Sequence, residues 1–107
     1  MQRKVEEFNK KVKLSHKKEM PILARIGSLQ SEIGELTKEV LKASKYGTLP
    51  FVKNEEFENE FGDVLYNLLS LANETNIDVD KVLNKAIEKY EKRLLAKNNM
   101  GSKKDTK

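Results

Sequence analysis

The sequence predicts an all-α fold of four antiparallel helices, and three observations lead there. Apolar residues recur at three- and four-residue intervals, with no strand-like alternation. The only two prolines, Pro21 and Pro50, fall between such stretches. A charged fraction of 36% beside a hydrophobic fraction of 37% is a composition for amphipathic helices rather than for a thick globular core.

The first helix is expected from about Gln2 to Lys17, with Val5, Phe8 and Val12 on one face. Pro21 suits the first turn of a second helix, because its fixed φ is helical and its missing N–H has no partner to lose there. That helix runs to about Ser44, where Gly47 and Pro50 of "KYGTLPFVKN" stop it. Asn54 is placed to cap a third helix, with Glu55, Glu56 and Glu58 in the first turn, where the helix dipole favours anions. This helix ends near Thr75. Asp78 caps a fourth, from Val79 to about Lys97. Residues 1–98 then form one domain, and the basic tail 99–107 is expected to be disordered.

The second helix carries a heptad-like seam of Ile22, Ile26, Leu29, Ile33, Leu36 and Val40. The third carries a wider apolar arc: Phe57, Phe61, Val64, Leu65, Leu68, Leu69, Leu71 and Ala72. One neighbouring helix cannot cover that arc, so the third helix should be central and a dimer interface should take up the excess.

Charge is segregated. Residues 1–18 carry a net +5, residues 19–80 a net −7 and residues 81–107 a net +6. The basic ends are mostly Lys with few aromatics beside them, so they are weak evidence for a nucleic-acid partner, a third reading that rests on these ends alone. No apolar run approaches the ~18 residues of a membrane span, and the N-terminus lacks the apolar core of a signal peptide. The absence of cysteine excludes disulfides and thiolate metal sites and fits a cytoplasmic protein.

The acids of the middle segment are patterned. At about 100° per residue, Glu32, Glu35 and Glu39 form one stripe beside the seam of the second helix. Glu56, Glu60, Asp63 and Asn67 form another on the same rotational side of the third. Antiparallel packing, which a short connection favours, brings both stripes onto one face. Counted from the connecting turn, Glu32 and Glu35 lie at ~15–18 Å and Glu60 and Asp63 at ~10 Å, a difference the loop must absorb. Converging carboxylates suit Mg²⁺, or Mn²⁺ in its place, because hard cations take oxygen ligands and leave room for phosphate. The competing reading is an ordinary solvated acidic face. Periodicity leaves both open.

At these residues the chain resembles the MazG-like nucleotide pyrophosphohydrolases. Their mark is E-x-x-E followed by E-x-x-D, here Glu32-Ile-Gly-Glu35 and Glu60-Phe-Gly-Asp63 with 24 residues between. The likeness runs from about Pro21 to Arg93 and includes Tyr46-Gly47, "LAN" with "NID" (Leu71 to Asp78) and "KYEKR" (Lys89 to Arg93). The resemblance implies an all-α bundle assembled as a homodimer or homotetramer. It implies an enzyme that hydrolyses nucleoside triphosphates between the α and β phosphates to a monophosphate and pyrophosphate. Glu32, Glu35, Glu60 and Asp63 would be the Mg²⁺ ligands and catalytic carboxylates. The chain departs from the pattern at Ser31, where many members have Glu, and at Ala86 and Tyr90, where a Lys and an Asn are usual.

Around that site, Lys45, Lys53, Lys89 and Arg93 are candidates to neutralise phosphates, with Arg93 the best placed in sequence. Asn67, one turn after Asp63, is a candidate for substrate contact. Tyr46, Phe51 and Tyr66 are candidates for base stacking, with core packing as the alternative. The lone His16 is expected to be solvated. No P-loop motif is present. Against the enzyme stands a second class of function, a non-enzymatic helical oligomerisation module whose acids are merely solvated.

Overall fold

The computed structural model describes residues 1–16 and 20–105, and the side chains of 1–14 and 20–98. Among these residues the chain forms four helices and no strand: α1 (Gln2–His16), α2 (Ile22–Ala43), α3 (Glu55–Glu74) and α4 (Val79–Asp105). The expected all-α architecture is therefore present. The side chain of His16 and residues 106–107 of the tail lie outside the described residues.

Local chemistry sets the helix ends. Pro21 sits just before α2 with φ −59° and ψ 149°, and its carbonyl accepts the Arg25 N–H at 2.9 Å. At the other end the Ser44 hydroxyl donates to the Val40 carbonyl at 2.8 Å and accepts the Gly47 N–H at 3.1 Å. Lys45, Tyr46 and Gly47 all have positive φ (46°, 58° and 82°), so the chain reverses through three left-handed residues. Only Gly47 adopts that region without steric cost. Asn54 caps α3, its Oδ1 accepting the Phe57 N–H at 2.8 Å. The Asp78 side chain accepts the N–H groups of Asp80 and Lys81 at 3.1 and 3.3 Å, as the sequence suggests for α4. The backbone of α4 continues to Asp105, past the end expected near Lys97 and into the segment expected to be disordered. No proline interrupts that stretch and a single Gly101 costs only about 1 kcal/mol.

The chain divides into two units, Met1–Asn76 with α1 to α3 and Ile77–Lys107 with α4. In the first unit α2 and α3 are antiparallel. Moving along α2 from Arg25 to Glu32, the facing residues of α3 change from Glu74 and Asn67 to Asp63 and Glu60. Phe51 in the connection packs edge-on against Phe57, with ring centroids 5.0 Å apart. Helix α1 lies on α3 through polar contacts. Gln2 and Asn73 bond each other twice, at 3.0 Å each, the Asn9 amide donates to Ser70 at 2.9 Å, and the Tyr66 hydroxyl donates to Asn9 Oδ1.

The interior of this unit is more polar than the seams suggest. Leu69 and Ala72 are its buried apolar residues, whereas Arg25, Ser44, Asn67 and Ser70 are buried polar ones. Much of the α2 seam remains open in the single chain: Ile22 is 48% and Ile33 45% exposed.

Candidate functional site

The two acidic stripes meet. Carboxylate oxygens of Glu32, Glu60 and Asp63 all lie within 4.8 Å of one another. Glu32 comes from the middle of α2; Glu60 and Asp63 are separated by one turn of α3, so their side chains project to one side. Glu32 and Glu60 are half-buried and Asp63 is exposed, so the cluster opens to solvent at one edge. Among the described residues, the Oε2 atom of Glu60 is buried and makes no hydrogen bond. Loss of water, then the hydrogen bonding and charge of Glu32, then the charges of Asp63 and Glu35, hold the Glu60 carboxyl above its ordinary pKa.

Glu35 is exposed and lies outside the 4.8 Å cluster, although its charge still acts on Glu60. Of the other acids on these stripes, Glu39 pairs with Lys42 at 3.7 Å and Glu56 is exposed. A carboxylate with one buried, unpartnered oxygen that converges with two further carboxylates suits a hard divalent cation. Every donor is oxygen, and the mutual repulsion is relieved only by positive charge or a proton.

The remaining sequence candidates separate. Asn67 is 5% exposed and its amide is engaged at both ends. Its Nδ2 donates to the Asp63 main-chain carbonyl at 2.9 Å and its Oδ1 accepts from Arg25 Nη1 at 3.3 Å. Tyr66 is half-buried with the Arg25 guanidinium 5.7 Å above its ring. Phe51 packs on Phe57, while Tyr46 is exposed in the left-handed turn. Lys53 pairs with Glu58 at 3.1 Å, and Lys45 is exposed. On α4, Lys89 and Arg93 flank the Tyr90 ring at 5.2 and 5.9 Å from its centroid.

Arg25 escaped the reading of the sequence. It is 6% exposed and grips Glu74 through Nε and Nη2 at 3.2 and 2.9 Å. One signal was present: it is one of only three arginines among 21 basic residues, and a planar fork is what a buried carboxylate and amide demand.

Three comparisons bear on this geometry. The family model of the MazG nucleotide pyrophosphohydrolase domain matches residues 22–95, which include all four motif acids. Uncharacterized protein YpjD of Bacillus subtilis (strain 168) is 35% identical over 74 residues, covering 66% of this chain and 65% of that one. The chain thus spans just under two thirds of that relative's length. A crystal structure of a Bacillus-conserved MazG protein, a nucleotide pyrophosphohydrolase, superposes with a TM-score of 0.69 at 31% identity, covering 84% of each chain. With paired acid motifs on adjoining helices and a family match over most of its length, the chain belongs to the MazG nucleotide pyrophosphohydrolase family.

Proposed function

We propose that this protein is a Mg²⁺-dependent nucleoside triphosphate pyrophosphohydrolase, with Mn²⁺ able to substitute, releasing a monophosphate and pyrophosphate. The observation that carries the reading is Glu60, whose Oε2 is buried without a partner among the described residues and whose carboxylate converges with those of Glu32 and Asp63. These three carboxylates would hold the cation, with Glu35 adding a fourth negative group at the exposed rim. When bound, the ion supplies positive charge against the charge that builds on a phosphoryl group.

The protein's own part is to hold Glu60 ready. Its partly desolvated carboxyl holds a proton more readily than an ordinary carboxylate does, and a cation competes with that proton, so metal binding and proton release are linked. The exposed edge at Asp63 leaves an approach for a phosphate chain. Arg93 and Lys89 on the family resemblance, and Lys45 on the general need of phosphates for cations, are the candidates to supply positive charge to the substrate. The half-open apolar seam of α2 and exposed Leu83 and Leu94 of α4 support assembly as a homodimer or homotetramer.

Product analysis across a panel of NTPs and dNTPs, with and without Mg²⁺, tests the reading on the wild type and on Glu60→Gln. Monophosphate and pyrophosphate that appear only with metal and disappear in the variant are the expected result. No turnover over the whole panel, with a melting temperature indifferent to Mg²⁺, would leave the carboxylates as a solvated face and return the protein to the interaction-module class.

A further inference from the structure

We propose that Arg25 is a positioning residue of the carboxylate centre, acting through Asn67 on the turn of α3 that begins at Asp63 and follows Glu60. The inference rests on the metal-binding reading above and adds to it a component that neither acid motif contains.

The chain of contacts is continuous. Glu74 holds Arg25 by both carboxylate oxygens (Nε at 3.2 Å to each, Nη2 at 2.9 Å to Oε2). Arg25 Nη1 donates to Asn67 Oδ1 at 3.3 Å, and Asn67 Nδ2 donates to the main-chain carbonyl of Asp63 at 2.9 Å. The Asn67 amide has only one chemically sensible orientation. A guanidinium can only donate and a carbonyl can only accept, so Oδ1 must face Arg25 and Nδ2 must face Asp63. Both Arg25 and Asn67 are buried, which keeps water from replacing either bond.

The consequence falls on the helix backbone. A side chain that bonds the carbonyl four residues earlier in its own helix shifts that turn and tends to bend it. The affected turn, residues 63–67, begins at Asp63, and Glu60 lies one turn earlier, joined to it by the backbone hydrogen bonds of the helix. Arg25 fixes the far end of the Asn67 amide and so fixes the direction of the pull. Glu74 neutralises Arg25 at close range, so the link to the carboxylates is mechanical rather than a long-range attraction. Partners one step removed from metal ligands commonly tune affinity by about 10- to 100-fold.

The test uses Mn²⁺ as the probe, with its affinity measured calorimetrically on the wild-type chain, Arg25→Lys, Asn67→Leu and the double variant. Lysine retains a charge for Glu74 but lacks the fork that reaches Asn67 at the same time. Each single variant should bind Mn²⁺ about 10-fold more weakly, and the double variant should bind no more weakly than Asn67→Leu alone, because both act through one link. A merely structural role would lower the melting temperature in EDTA and leave Mn²⁺ affinity within about 2-fold of wild type, and that result overturns the proposal. If Arg25→Lys does not fold, Asn67→Leu decides the question alone. Wild type that binds no Mn²⁺ overturns the metal reading and the proposal with it, whereas wild-type binding matched by every variant overturns the positioning role only.

Discussion

Replacing Arg25 with Met should destabilise the Met1–Asn76 unit by about 3 kcal/mol, and the structure supplies the terms. The Arg25 side chain is 7% exposed and that of Glu74 is 25% exposed. Removing one member of a buried pair costs about 3–5 kcal/mol, because the other charge stays behind unpaired. Glu74 retains partial access to water, which places its share at the low end. Asn67 Oδ1 also loses its donor inside the protein, a penalty of about 1–3 kcal/mol of which the low end, about 1 kcal/mol, adds to the first. The apolar methionine stem recovers about 1 kcal/mol through burial. A net loss near 3 kcal/mol corresponds to a fall in melting temperature of about 12 °C for a chain of this size. Urea unfolding followed by far-UV circular dichroism, at one protein concentration and with an unchanged m value, measures it. Arg25→Met combined with Glu74→Leu should lose less than the two single losses together, since an apolar pair strands no charge. A loss below about 1 kcal/mol for Arg25→Met, the scale of a surface ion pair, would refute the claim that this contact is part of the core.

Two further perturbations follow from the same structure. Glu60→Gln removes a carboxylate crowded by Glu32, Asp63 and Glu35, so in EDTA at neutral pH it should melt above wild type and gain nothing from Mg²⁺; a lower melting temperature contradicts the repulsion. Because the folded state raises the Glu60 pKa, it holds that proton more tightly than the unfolded chain does. Metal-free stability relative to Glu60→Gln should therefore be greatest below the ordinary carboxylate range and be lost as pH rises through the raised value. Paired thermal melts across that window check the sign, and Mn²⁺ affinity should fall as pH drops through it. Asn54→Ala deletes the cap on the Phe57 N–H and should cost about 1 kcal/mol. Equilibrium urea unfolding reads that loss directly; no loss would mean the α3 terminus frays freely.

The parts of the structure legible in sequence are those governed by local chemistry. Asn54 and Asp78 cap where their side chains can reach N–H groups two or three residues ahead, which needs no knowledge of the rest of the fold. The convergence of Glu32 with Glu60 and Asp63 was also readable, because rotation about each helix and an antiparallel hairpin suffice to predict it. Axial register was harder. The order of contacts along α2 and α3 decides that Glu32 joins the cluster while Glu35 stays at its rim, and a left-handed turn through Lys45, Tyr46 and Gly47 helps to set that order. Arg25 was invisible for a different reason. Periodicity counts a charged residue as surface, and only the simultaneous arrival of Glu74, Asn67 and Tyr66 makes burial tolerable. Asn67 was placed correctly on its stripe, but the partner waiting for it on α2 depends on packing.

The way α1 is fastened to α3 has a thermal consequence. Amides and hydroxyls fasten it (Gln2 with Asn73, Asn9 with Ser70 and Tyr66) beside half-buried Val5 and Val12, and Phe8, its largest apolar side chain, is 54% exposed despite touching the Tyr66 ring. Heat capacity changes on unfolding come mainly from apolar surface, and polar surface contributes with the opposite sign. Detachment of α1 therefore carries a small heat-capacity change, and its free energy varies almost linearly with temperature. The α2/α3 hairpin, with its aromatic and aliphatic contacts, follows a more curved dome. On cooling, the polar contacts of the first helix therefore lose less than the hairpin does, because only the hairpin leans on a hydrophobic cohesion that weakens in the cold.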